Sequence, residues 1–131
     1  MATTLIPTLS IKDTTTFSDE INFSVTDSLS VVAPAQSLST VIAPASGVVE
    51  IVAASTAIVY LFVRHTGTTD GSTGTAQLVD VEETGNAAFA RLGAGEWLFM
   101  PFNHHAGNVG IQLHVQHASV VQMEFAYWTK G

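Results

Sequence analysis

Apolar side chains in this chain recur at every second position, and no segment shows the three-and-four spacing of a helical stripe. This constrains the fold more than any other feature. Ile21, Phe23 and Val25 alternate with Asn22, Ser24 and Thr26, the pattern of a strand with one face buried and one wet. Val109, Ile111, Leu113 and Val115 alternate with Gly110, Gln112, His114 and Gln116, and Val121, Met123, Phe125 and Tyr127 share one face of a final strand. Turn residues punctuate these runs at the short spacing of antiparallel sheets. Eight to ten short strands and no helix follow. The pattern predicts an all-β, two-sheet antiparallel sandwich with jelly-roll or related Greek-key connections. No charge block, proline tract or long linker divides the 131 residues, so residues 1–131 are read as a single domain, with 1–20 as an extended arm or edge strand.

Individual segments carry sharper expectations. Leu5 to Lys12 reads as a first strand, and Pro7, lacking a backbone donor, places it at an edge or a subunit boundary. Pro34 and Pro44 leave room for a short edge strand from Leu38 to Ile42 between turns. GVVEIVAAS and AIVYLFVRH are dense apolar runs, separated by a short turn near Ser55 and Thr56, that read as a central hairpin. Runs with so little alternation are buried on both faces, or on one face with a partner covering the other. Gly67 to Gly74 reads as the most flexible segment, a solvent-exposed connection. AQLVDVEE and NAAFARL form a second hairpin around Thr84, Gly85 and Asn86, and WLFMPF is an aromatic strand stopped by Pro101.

Composition bears on partners. Charged residues make up 11 % of the chain, against about 25 % in an average soluble domain. Spread over the roughly 6,600 Å² expected for a folded chain of this mass, that is about one charge per 440 Å². Much of the exterior is therefore neutral or apolar, a surface suited to being covered. The cations Lys12, Arg64, Arg91 and Lys130 are scattered under a net charge of −7, which argues against nucleic acid and against a polybasic membrane anchor. No cysteine is present, no apolar run approaches membrane-spanning length, and MATTLIPTLS lacks the marks of an export signal. The expectation is a soluble chain.

The candidate chemistry is thin. His104, His105, His114 and His117 lie close in sequence, but residues one or three apart on a strand face opposite sides and do not converge on one ion. Adjacent Glu82 and Glu83 diverge in the same way and read as a solvated strand end. No nucleophile elbow, phosphate loop or dinucleotide fingerprint occurs, so no catalytic residue, metal ligand or cofactor is assigned and the chain is not read as an enzyme. Aromatic residues are more informative. Trp97, Phe99 and Phe102 lie in or beside one strand, while Tyr127 and Trp128 have opposite parity, so one of that pair faces away from the core. Together with Leu5 and Ile6 beside the boundary proline, these are the interface candidates, led by Trp128.

The strand-rich architecture, the run GVVEIVAASTAIVYLFVRHTGTTDG, the segment LGAGEWLFMPF and the ending VVQMEFAYWTKG resemble the small β-sandwich virion proteins of tailed bacteriophages, including capsid decoration or cement proteins. The resemblance carries over no functional residue. It implies a homotrimer that sits on the exterior of a capsid, contacts the major capsid protein or another virion protein, and is assembled in the host cytoplasm. A head-fibre or tail component has a similar texture. A carbohydrate-binding receptor-tip module, with Trp97 or Trp128 as a stacking platform, is the alternative from a second class, and a metal-dependent sandwich enzyme is a distant third.

Overall fold

The computed structural model describes residues 2–13, 21–103 and 109–131. These form eleven strands: β1 (Thr3–Leu5), β2 (Thr8–Asp13), β3 (Ile21–Thr26), β4 (Leu29–Ala43), β5 (Gly47–Val52), β6 (Ile58–His65), β7 (Val79–Glu83), β8 (Ala88–Leu92), β9 (Trp97–Asn103), β10 (Ile111–Val115) and β11 (Val121–Lys130). No helix occurs among the described residues. One sheet runs β1-β4-β11-β6-β9, a second β5-β10-β7-β8, and β2 and β3 pair only with each other. With β1 to β3 set aside, the remaining eight strands follow the jelly-roll order, first-eighth-third-sixth facing second-seventh-fourth-fifth. The expected sandwich is therefore present, one strand above the expected range because Pro7 splits the first strand in two.

The core lies between the sheets, where period-two faces meet. Leu61 and Val63 of β6, Val79 and Val81 of β7, Ile111, Leu113 and Val115 of β10, and Val121 and Met123 of β11 have no solvent exposure. The alternation read for β10 is the alternation observed, while β11 keeps it through Met123 and then loses it, Phe125 and Tyr127 packing only partly buried against the core and Ala126 between them being buried.

Three local expectations change. The dense runs β5 and β6 do not form a hairpin: β5 lies in the four-stranded sheet and β6 in the five-stranded one. Residues 53–57 connect them, enough chain to cross the roughly 10 Å between stacked sheets rather than close a tight turn. The short strand at Leu38–Ile42 is part of the 15-residue β4, which passes through Pro34. Its register with β11 jumps from Trp128↔Ala35 to Thr129↔Val32, so Ala33 and Pro34 fall in a bulge where proline removes no ladder bond. β9 likewise runs through Pro101 to Asn103, because it is the edge of its sheet and an outward N–H is dispensable there.

The Gly67–Gly74 segment is a connection exposed from Asp70 to Gly74, as expected, and its own hydrogen bonds close it into a compact turn. The Thr69 N–H donates to the Thr73 carbonyl (2.8 Å), the Thr75 N–H to Gly67 (2.9 Å), and Gln122 of β11 ties in through the Thr68 carbonyl (2.8 Å). The Asp70 carboxylate accepts from the Thr73 and Ser72 amides (2.7 and 2.9 Å), and these bonds pull its pKa down to about 2. Buried His65 anchors the base, accepting at Nδ1 from the Gly67 N–H (2.9 Å) and facing the Gln77 carbonyl with Nε2 (2.7 Å).

Candidate functional site

The two sheets present opposite kinds of outer face. On the four-stranded sheet, pairing aligns Asp80 and Glu82 of β7 with His114 and Gln112 of β10. The Arg91 Nε and Nη2 donate to Asp80 Oδ1 and Oδ2 (2.5 and 3.1 Å), and the Gln116 amide donates to Asp80 Oδ2 (2.5 Å). The Gln112 amide donates to Glu82 Oε1 (2.6 Å), with His114 Nδ1 3.4 Å from the same oxygen. The hydrogen bond from Arg91 holds Asp80 below the ordinary carboxylate range despite its burial. Glu82 is thus buried within this lattice and not a solvated strand end, while Glu83 points the other way and accepts from the Asn86 amide (3.1 Å).

Asp80, Glu82 and His114 bring one ligand atom each within 4.8 Å of one another, a trio that sequence spacing alone did not flag. The signal was the period-two pair Asp80 and Glu82, but His114 joins it only through the β7–β10 register. Both Asp80 oxygens already accept from Arg91 and Gln116, so coordinating a cation there requires displacing a guanidinium. As built, the cluster is a closed polar network. His117 lies in the turn after β10, and His104 and His105 lie outside the described residues.

On the five-stranded sheet the outer face is apolar. Cross-strand register places Trp128, Tyr60 and Pro101 in one row, Ala126, Phe62 and Phe99 in the next, and Glu124, Arg64 and Trp97 in a third. Arg64 and Glu124 form an ion pair at 3.5 Å. Tyr60 stacks on Phe99 and Phe62 leans on Trp97, each pair with ring centroids 6.4 Å apart. Trp97 is 51 % exposed, and Leu38 and Ile42 of β4 are exposed on the same sheet.

Above this face stands the β2–β3 ribbon. Its register, Leu9↔Val25, Ile11↔Phe23 and Asp13↔Ile21, gathers the apolar residues on one side and Thr8, Ser10, Lys12, Asn22, Ser24 and Thr26 on the other. The alternation promised a buried face, yet Phe23 is 47 % and Val25 57 % exposed, and every described residue of β3 is exposed. Among the described residues, the ribbon faces the body of the fold chiefly at its base, around Pro7, Leu9, Val25 and Asp27. Two open grooves of about 490 and 370 Å³ lie between them and meet at Pro7 and Phe99, the first reaching Trp97 and Arg64, the second Tyr60 and Pro101.

Of the sequence-derived interface candidates, Trp97, Phe99 and Trp128 belong to this outer face, and Leu5 and Ile6 lie where the chain leaves β1 for the ribbon. Phe102 is buried in the core, where Phe89 stacks on it, and Tyr127 packs against the core as the inward member of its pair. Neither reaches the apolar surface. The sequence reading did not single out the ribbon residues Ile11, Ile21 and Phe23 as exposed, because their alternation reads as ordinary burial. No described helix is long and apolar enough to cross a membrane. A scan against models of known protein families finds no match, and a search of curated proteins finds no relative.

Proposed function

We propose that this chain is a non-enzymatic virion structural protein of the capsid-decoration kind, which oligomerises and clamps neighbouring subunits of a capsid lattice from outside. The observation that carries this reading is the contrast between the two outer faces. An antiparallel sheet commonly buries one face and wets the other, and the four-stranded sheet does so with its own polar network. The five-stranded sheet carries aromatic and aliphatic rows on its outer face as well, interrupted by the Arg64–Glu124 pair, and the ribbon above it leaves most of its own apolar side uncovered. Surfaces of this kind mark contacts with other subunits. The chain exposes 7471 Å², above the roughly 6,600 Å² of a compact fold of this mass, the direction an unpacked ribbon produces.

On this reading the mechanism is adhesion. Several modest apolar contacts, tethered in one oligomer, act together through high effective concentration. The partners are further copies of the chain, as a homotrimer, and the major capsid protein or another virion protein, with assembly in the host cytoplasm. The test is co-sedimentation of the purified chain with shells of the capsid protein encoded alongside it. Saturable binding that raises the temperature of shell disruption supports the reading, and a chain that stays in the supernatant at all concentrations defeats it.

Trp97 favours a second reading. Half exposed beside the Arg64–Glu124 pair, it offers a flat ring and neighbouring polar groups suited to stacking on a sugar. Glycan-array binding abolished by Trp97→Ala supports a receptor-tip module in place of decoration.

A further inference from the structure

The β2–β3 ribbon is attached to the fold at two points. β1 pairs with the start of β4 (Thr3↔Val31 to Leu5↔Leu29), and beyond Ile6 the Asp27 N–H donates to the Pro7 carbonyl (3.2 Å) as the ladder resumes. The ribbon therefore continues the β1–β4 pair, bent at Pro7 and at Asp27–Ser28. Apart from that connection, neither of its strands packs extensively against another element. A lone two-stranded hairpin is marginal in water, so its order depends on what covers its apolar side.

We infer that the ribbon is a docking arm for a second copy of this chain, its apolar face lying across the outer face of the partner's five-stranded sheet. This rests on the reading of the chain as a self-assembling subunit, and it assigns the element that does the assembling. Dimensions agree: a six-residue strand is about 20 Å long, and a sheet of this width spans roughly 15–20 Å. So does area. Taking roughly 200 Å² for a fully exposed large side chain, Leu9, Ile11, Ile21, Phe23 and Val25 leave about 440 Å² uncovered, and Trp97, Leu38 and Ile42 about 320 Å² on the receiving face. Reciprocal exchange between two copies brings each to roughly 760 Å², about the 800 Å² per partner of a stable interface, so the arm makes a two-fold contact in place of the three-fold one that the resemblance implies. Chemistry also agrees, since the outer rows meet the arm with aromatic and aliphatic groups and with Arg64 already neutralised by Glu124. Exchange of an identical element between copies is a low-cost route to closed assemblies.

The chain has no cysteine, which makes the test clean. Full-length Phe23→Cys and Trp97→Cys variants are mixed and treated with a short bis-maleimide, and Phe23→Cys is mixed with Val48→Cys, on the outer face of the other sheet, as a control. Docking predicts covalent heterodimer in the first mixture and little in the second. Phe23→Ser in the otherwise native chain raises the dissociation midpoint of the oligomer on the order of 10- to 100-fold in light scattering, with an unchanged unfolding midpoint for the resulting monomer. An oligomer that shows no Phe23–Trp97 cross-link, or that ignores Phe23→Ser, overturns the arm while leaving self-assembly standing. A native chain of 13.8 kDa at every concentration overturns the arm too, and co-sedimentation with shells then decides the decoration reading separately.

Discussion

Asp80→Asn tests whether the four-stranded sheet completes its own outer face. Asp80 is 2 % exposed and accepts two hydrogen bonds from Arg91 and one from Gln116. A hydrogen bond to a charged group contributes about 1.5–3 kcal/mol. Asn keeps the shape and one acceptor, and the Arg91 side chain is 55 % exposed, so solvent screens the loss. The expected destabilisation at pH 7 is about 2 kcal/mol, read by urea unfolding of the monomeric Phe23→Ser background, with a fall of roughly 6–8 °C in Tm. The pH dependence supplies the sharper check. Because the folded-state pKa of Asp80 lies below its ordinary value of 3.8, the wild-type advantage is fully present above that value and is lost as pH falls through the folded pKa. The two chains should converge in stability at the acid end. A deficit under 0.5 kcal/mol at neutral pH, or one that persists unchanged into strong acid, refutes the account.

Other expectations follow from single contacts. A Cβ on Gly110 would sit 2.5 Å from the Val52 carbonyl oxygen, beside the irregularity in the β5–β10 register, so Gly110→Ala should destabilise by about 1–3 kcal/mol in urea unfolding; a neutral result removes the close approach. An NMR titration should place the Asp70 carboxylate near pH 2, and an ordinary value near 3.8 would mean that the Thr73 and Ser72 amides do not bind it. Trp128→Ala, on the apolar outer face opposite Tyr60, should leave the fold intact and weaken self-association about tenfold or more by analytical ultracentrifugation, and an unchanged oligomer excludes Trp128 from the contact.

Parity is a local property, so much of the fold was legible. Whether a residue points in or out of a strand depends only on its neighbours, and the inward Ile111, Leu113 and Val115 and the outward Trp128 follow from it, while the β7–β8 hairpin was legible in its own local signal, the Thr84, Gly85 and Asn86 turn. The candidate surface was half legible for the same reason. Outward parity marked Trp128, while a count of aromatics marked Trp97, Phe99 and Phe102 alike; the opposite parity of Phe102 on the same strand, itself local information, is what sends it into the core.

Pairing is not local. Two apolar runs with a short link, β5 and β6, look like a hairpin in sequence, yet the free energy of closing the sandwich sends them to different sheets, beside strands some sixty residues further on. The gathering of Asp80, Glu82 and His114 likewise exists only once β7 and β10 are in register. The ribbon is the reverse case: its alternation specified an apolar face by itself, because period two is written in the order of side chains. Only the tertiary structure decided that the chain's own core would not cover that face, since burial depends on what packs opposite, and opposite Ile11 and Phe23 the described residues place nothing extensive.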